Sequence, residues 1–307
     1  MHISTNLLFD RASAQMSSIQ NDMAKSQAQI AAQKQVLNPS DAPDQAAVIT
    51  RLKSMIGKQD SYLKTMDTVQ ARLETESTTL SSAGDILIRM KELTLQANNA
   101  TNAGSSRVVI ATEMQGLRDQ LLSLANSTDA SGSYLFSGSK VRTPAFATDA
   151  NGAVSYQGDQ VQISVAVGDH RTLPTNRSGT QAFVSVARTS GDGTTTGAGF
   201  FKAIDDLIAG VRSGVSSVMQ RGLNEMDTLH QGVVLAQASG GTDMQAMQQQ
   251  SAALDATKLT LQSALSNVED LDMPKAITLM QKQMLSLEAA QASFAKVSQM
   301  SLFTYLR

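Results

Sequence analysis

The sequence predicts a mainly α fold: long antiparallel coiled-coil helices from both chain ends, with a small inserted β-rich domain. Three observations predict it. Apolar residues recur at alternating four- and three-residue intervals through most of the 307 residues, the seam that coiled-coil packing needs. That periodicity stops between about 131 and 199, where ten of the 20 glycines collect. The five prolines stand only at 39, 43, 144, 174 and 274, so matching breaks near the two ends set off terminal segments of similar length.

In chain order, the first segment carries Phe9, Met16, Met23, Ile30 and Leu37 every seven residues, with Ala12, Ile19, Ser26 and Gln33 between them. Asn38-Pro39-Ser40-Asp41-Ala42-Pro43 then stops this helix and starts another. A residue before proline is driven out of the helical region; Ser40 or Asp41 can cap the next helix, and Pro43 fits its first turn. From Val48 the seam runs through Leu52, Met55, Gln59, Tyr62, Met66, Val69, Leu73, Glu76, Leu80, Ala83, Leu87 and Met90, a helix of about 80 Å if continuous. A shorter helix carries Ile110, Met114, Leu117, Leu121 and Leu124.

In the glycine-rich stretch, Tyr134-Leu135-Phe136, Val154-Ser155-Tyr156 and the alternating Val161, Ile163, Val165, Val167 read as strands. Asn151-Gly152 marks a hairpin turn. The returning side carries Met247, Ser251, Leu254, Lys258, Leu261, Leu265 and Val268, then Met273, Ile277, Met280, Met284, Leu287, Gln291 and Phe294. Gly240-Gly241 is the expected kink on that side, and Asp270 to Pro274 mirrors the first break. The expected division is a terminal-helix domain (1–42 and 271–307), a helical bundle (43–130 and 200–270) and an outer β-rich domain (131–199).

If Pro39 and Pro274 mark one level, facing positions in the terminal pair sum to about 313 in residue number, because both helices rise equally per residue. Ile30 then lies by Met280 or Met284, Met23 by Leu287 or Ala290, Met16 by Phe294 or Val297, and Phe9 by Leu302 or Phe303. Val48 should likewise face Leu265 or Val268.

Composition excludes several function classes. The 25 basic and 27 acidic residues nearly balance, which argues against a nucleic-acid partner. There is no cysteine, hence no disulfide and no thiol chemistry. His2, His170 and His230 are too scattered for a metal site. No secretory signal is visible, and no apolar run is long enough for membrane insertion. Gly138-Ser139-Lys140 lacks the spacing of a phosphate loop. Asp169-His170-Arg171 reads as a turn, and Asp205-Asp206 as first-turn charge on a helix. Asn126-Ser-Thr and Asn176-Arg-Ser match a glycosylation pattern that is common by chance. The seam methionines read as adaptable packing. No catalytic residue, cofactor or metal site is expected.

The terminal helices carry few charges: three basic and two acidic residues in 1–38, four and one in 275–307. Glutamine, serine and alanine cover their faces instead, although solvated helix faces are usually charged. These ends are expected to pack on copies of themselves or kin. The expected assembly interface comprises Leu7, Phe9, Met16, Met23, Ile30, Leu37, Ile277, Met280, Met284, Leu287, Phe294, Val297, Leu302 and Phe303, with Pro39, Pro43 and Pro274 as hinges.

"NPSDAPDQAA" after a 37-residue amphipathic start resembles the Pro-Ser-Asp-Asp-Pro segment of the flagellin superfamily, with Ala42 in place of the second Asp. "MHISTNLLFDRASAQM", "YLFSGSKVRTPAF" (134–146), "GFFKAIDDLIAGV" (199–211) and "SLFTYLR" (301–307) resemble the hook–filament junction branch of that superfamily rather than flagellin itself. The resemblance implies paired terminal helices in an inner core, a surrounding helical bundle and an outward β domain. It implies a ring of copies between hook and filament, touching a neighbouring junction protein and flagellin. It also implies delivery by an export chaperone and the type III export apparatus, to the secreted flagellum at the hook–filament junction. The alternatives are a flagellin filament subunit, or another exported coiled-coil protein such as a translocon component, which should carry a long apolar hairpin.

Overall fold

The computed structural model describes the backbone of residues 2–99, 104–189 and 195–305, and within these the side chains except those of 2–6, 8 and 297–305. In chain order the elements are α1 (His2–Ala32), α2 (Pro43–Asn98), α3 (Gly104–Ala125), β1 (Phe146–Thr148), β2 (Val154–Tyr156), β3 (Ser164–Gly168), β4 (Arg171–Pro174), α4 (Gly179–Ala182), β5 (Val186–Thr189), β6 (Thr195–Ala198), α5 (Phe200–Ser213), α6 (Ser216–Glu269) and α7 (Met273–Tyr305). The chain divides into two compact units: Met1–Gln59 with Asp255–Arg307, and Asp60–Leu254. Each is built differently.

The 60–254 unit holds both hydrophobic clusters found among the described residues. The larger joins Leu80, Leu87 and Met90 of α2, Met114 and Leu121 of α3, Ile204 and Leu207 of α5, and Met226 and Leu229 of α6. A chain of aromatic rings, Phe136–Phe183–Phe146–Phe201–Phe200, closes it, with successive centroids 5.2–5.5 Å apart and Phe200 returning to Phe183 at 5.1 Å. Edge-on contacts at this spacing are favoured by the ring quadrupole. Glycines on α6 let neighbours approach: a Cβ on Gly222 would lie 2.4 Å from Leu207 Cδ1, and one on Gly232 would lie 2.5 Å from Val184 Cγ2.

The three two-stranded sheets are all antiparallel hairpins. Asn151-Gly152 turns β1 into β2, with Gly152 at φ 84° and Thr148 paired to Val154. The alternation holds in burial from Ile163, with Ile163 and Val165 half-buried and Val167 buried, but Val161 is 55% exposed and the strand begins only at Ser164. Asp169-His170 is the turn into β4. Tyr134-Leu135-Phe136 is not a strand: Leu135 and Phe136 are both fully buried, so the segment does not alternate but plugs the core, its backbone held by Ser127 and Val141.

Two further expectations change. Gly240-Gly241 neither kinks nor breaks α6, which is continuous. Gly240 instead makes room: a Cβ there would lie 3.1 Å from Arg177 Nη1. Arg177, 8% exposed, pairs with Glu76 at 2.8 Å and with Asp243. Asp205-Asp206 lies beyond the first turn of α5. Both carboxylates serve ion pairs, Asp205 with Arg118 at 2.9 Å and Asp206 with Arg188 and Lys202 at 2.5 Å. Burial of Arg118 and Arg188 demanded partners, and this requirement outweighs any dipole effect.

The Asn126 side chain brackets Phe146, donating to its carbonyl at 2.8 Å and accepting from its N–H at 2.9 Å. Asn176, buried, joins Ile163 N–H to the Gly138 carbonyl. Both amides are consumed by backbone clamps.

Candidate assembly interface

In the terminal unit α1 and α7 pack antiparallel, their Cα atoms approaching within 8 Å. Partial burial on α1 falls at Phe9, Ala12, Met16, Ile19, Met23, Ser26 and Ile30, the four–three spacing of the sequence. On α7 it falls at Met273, Ala276, Met280, Gln283, Leu287, Ala290 and Phe294. Phe9 and Phe294 meet edge to face, centroids 5.3 Å apart, and Lys34 bridges Asp270 antiparallel at the other end. Equal rise between these ends puts Met16 level with Leu287, Ile19 with Gln283, Met23 with Met280, and Ile30 with Met273. Two small layers, Ala12 with Ala290 and Ser26 with Ala276, stand among the large ones and permit close approach there.

Three expectations are corrected here. The register sum is about 303, as for Phe9 and Phe294, not 313, a shift of about 15 Å along the pair. Ile277 and Met284 are not in the seam; they lie 40% and 46% exposed, and Ala276, Gln283 and Ala290 take those places. Leu37 has left the helix. α1 ends at Ala32 because Gln33 adopts φ 56°: Gln33 N–H then reaches the Ile30 carbonyl and Lys34 N–H the Gln29 carbonyl, a Schellman closure. A non-glycine residue is strained there and is held by tertiary bonds. The Gln33 carbonyl accepts from Leu271 N–H at 3.1 Å, and Gln35 N–H donates to the Glu269 carbonyl at 2.8 Å. The prolines therefore do not mark a common level.

They do mark starts. Pro43 is the first residue of α2, but Asp41 does not cap it: its carboxylate faces back to Asn38 N–H and to Lys25, leaving Ala42 at the capping place. Pro274 lies in the first turn of α7, capped by Asp272, whose carboxylate accepts Lys275 N–H at 3.1 Å. Pro39 and Pro43 line an open groove of about 630 Å³ with Ala46, Ala47, Thr50 and Met55. Early in α2 Ile49 is buried and Ala46, Leu52, Ile56 and Gln59 are half-buried, while Val48 and Met55 face out at 46% and 40% exposure. Val48 is thus not the buried contact the sequence suggested.

One ionic clasp ties the connector down. Glu269 accepts from Lys34 at 2.6 Å and Lys53 at 2.8 Å. Hydrogen bonds from both lysines hold its carboxyl below the usual range. Nothing in the sequence spacing pointed to this triad.

Within the terminal unit the apolar seam is only half-covered; among the described residues of this unit the most buried apolar ones are Ile49 and Ala276, each 9% exposed. Apolar side chains also stand outside the seam. At about 100° per residue, Ile277 and Met284 flank one side of α7, Leu279 the other, and Leu285 lies opposite the seam, 67% exposed. Leu7 on α1 is 50% exposed. Exposed apolar side chains on these helices gain by burial against a neighbour. Val297, Leu302 and Phe303 lie outside the described side chains. Among the described residues no three His, Asp or Glu groups converge as metal ligands would.

The bacterial flagellin N-terminal helical region matches residues 3–141. Flagellar hook-associated protein 3 of Salmonella typhimurium is 26% identical over 99% of both chains. Flagellin B of Vibrio cholerae is 25% identical but spans 45% of this chain and 37% of its own. The crystal structure of flagellar hook-associated protein 3 from Legionella pneumophila shares the fold, with a TM-score of 0.64 at 17% identity, covering 72% of this chain and 98% of that one. The chain is similar along its whole length to flagellar hook-associated protein 3, and over its N-terminal part to the flagellins.

Proposed function

We propose that this chain is a structural, non-enzymatic subunit of the bacterial flagellum that joins hook to filament. The observation that carries the reading is the likeness to hook-associated protein 3 from end to end, where the flagellin match stops at the N-terminal part. The terminal unit supplies the physical means. Its two-helix seam is half-exposed and α7 presents Ile277, Leu279, Met284 and Leu285 outside that seam, so the pair gains by burying these side chains against other helices. Copies of the chain in a ring are the proposed neighbours, with a second junction protein on one side and flagellin on the other. In this reading Phe9, Met16, Met23, Ile30, Met280, Leu287 and Phe294 hold the pair together. Leu7, Ile277 and Met284, with Leu279 and Leu285, contact neighbours; Pro39, Pro43 and Pro274 set the helix starts about which the pair is oriented. The three-way division at 42/271 and 130/200 belongs to the same proposal, as do an export chaperone, passage through the type III export apparatus and a final position at the junction.

A deletion strain tests this. Its flagella should show hooks without filaments, with flagellin released into the medium. Normal filaments on the deletion strain would overturn the proposal. Long filaments formed by the purified chain alone would favour the flagellin reading instead.

A further inference from the structure

The fold treats its asparagines unequally. Asn151 alone among them precedes a glycine, whose backbone nitrogen has no side chain beside it. Asn126 is clamped on Phe146 through both ends of its amide, and Asn176, 3% exposed, is engaged by Ile163 N–H and the Gly138 carbonyl. Asn151 instead stands exposed at the tip of the β1–β2 hairpin, between strands of three residues each. Asp149 closes that tip. Its carbonyl accepts Gly152 N–H at 3.0 Å, and its carboxylate accepts Asn151 N–H at 2.9 Å and Ala153 N–H at 2.8 Å.

We propose that Asn151 is a deamidation site, with the Gly152 nitrogen as nucleophile and Asp149 as the brake on it. While the turn is closed, the Gly152 N–H is committed to the Asp149 carbonyl. Short exposed elements open locally, and in the open tip that nitrogen gives up its proton and attacks Asn151 Cγ. The new C–N bond forms, the Cγ–Nδ2 bond breaks, and ammonia leaves with, in net, the proton lost from the nitrogen. The result is a five-membered cyclic imide. Water then opens the imide at either carbonyl, giving an aspartate or an isoaspartate whose main chain runs through Cβ and Cγ; nothing is oxidised or reduced. Isoaspartate lengthens the turn by one carbon, and either product sets a carboxylate near that of Asp149, where like charges repel. The Gly152 carbonyl, which accepts from Arg118 Nη2 at 3.1 Å, is then drawn off it. Arg118 keeps Asp205 at 2.9 Å, so the change stays at the hairpin tip.

The full-length chain aged at mildly alkaline pH tests this, with peptide mass spectrometry at each asparagine and an isoaspartate-specific methyltransferase as the probe of the product. Asn151 should deamidate at least about tenfold faster than Asn126 or Asn176, because its neighbour is uncrowded and its tip can open. Asp149→Ala removes both carboxylate bonds and keeps the Asn-Gly pair, so the reaction at Asn151 should quicken roughly fivefold. Asp149 is exposed, and the calorimetric transition of this variant should match that of the native chain. Asn151→Gln has a side chain one carbon too long to close the five-membered ring, and the peptide carrying residue 151 should then take up no methyl label. Deamidation of Asn151 no faster than that of Asn126 would overturn the proposal. So would an unchanged or slower reaction in Asp149→Ala, or undiminished label in Asn151→Gln.

Discussion

Replacing Arg177 by Met should destabilise the 60–254 unit severely. The guanidinium neutralises Glu76, a carboxylate 2% exposed on α2 whose Oε2 already lacks a partner, and it also reaches Asp243 and Ser239 on α6. Asp243 is 26% exposed and can turn to solvent; Glu76 cannot. Breaking one side of a buried ion pair costs about 3–5 kcal/mol, and a unit of this size loses about 2–4 °C in Tm per kcal/mol. The expected drop is therefore roughly 6–20 °C in the calorimetric transition of this unit. The pH dependence follows from burial, which already pushes the Glu76 carboxyl up against the opposing pull of Arg177. Without Arg177 it rises further. A carboxyl raised by folding costs stability above its unfolded value and ceases to cost once the pH falls to that value, about 4.3. The defect should thus shrink between pH 7 and about pH 4.5. Adding Glu76→Leu should restore much of the loss at neutral pH. A drop under about 2 °C, a pH-independent defect, or a double variant no better than the single one would refute the reasoning.

Leu287→Asp or Met23→Asp puts a charge into the half-buried seam. Either should abolish α1 exchange protection and incorporation at the hook tip while the calorimetric transition of the 60–254 unit stays within about 1 °C; a motile strain carrying either change would contradict the seam. Leu285→Asp, opposite the seam and 67% exposed, should leave α1 protection intact yet still block incorporation, and normal motility would show that this face meets no neighbour. For the clasp, Glu269 is depressed by Lys34 and Lys53, so its stabilisation is present above the unfolded value of about 4.3 and is lost as pH falls through the lower folded value. The protection factor of the Gln35 amide, its exchange measured against the intrinsic rate at each pH, should fall below about pH 4 in the native chain. In Glu269→Gln it should be low and flat across that range; a wild-type protection factor indifferent to acid would exclude the clasp.

Much of the architecture was legible because it is local. The four–three spacing from Phe9 to Ile30, from Tyr62 to Met90 and from Met247 to Val268 matches the buried positions residue for residue, since helix geometry alone puts those side chains on one stripe. The Asn151-Gly152 hairpin was legible for a similar reason: a positive φ at Gly152 costs nothing. Members of the proposed interface were recognisable by what they lack, the charges a solvated helix would carry.

Pairing was not local, and the sequence could not decide it. Ile277 and Met284 are better hydrophobes than Ala276, Gln283 and Ala290, yet the smaller residues hold the seam of α7. Close approach of two backbones favours small side chains in some layers, and only the partner helix says where those layers fall. The end of α1 shows the same limit. Proline at 39 offered an obvious stop, but the chain turns six residues earlier at a glutamine in the left-handed region, held there by bonds from Glu269 and Leu271. A residue strained by its own chemistry is stable there only because distant backbone pairs with it. The α1–α7 register followed from that turn, so the sequence by itself determined which stripes are apolar, and the tertiary structure decided which layer meets which.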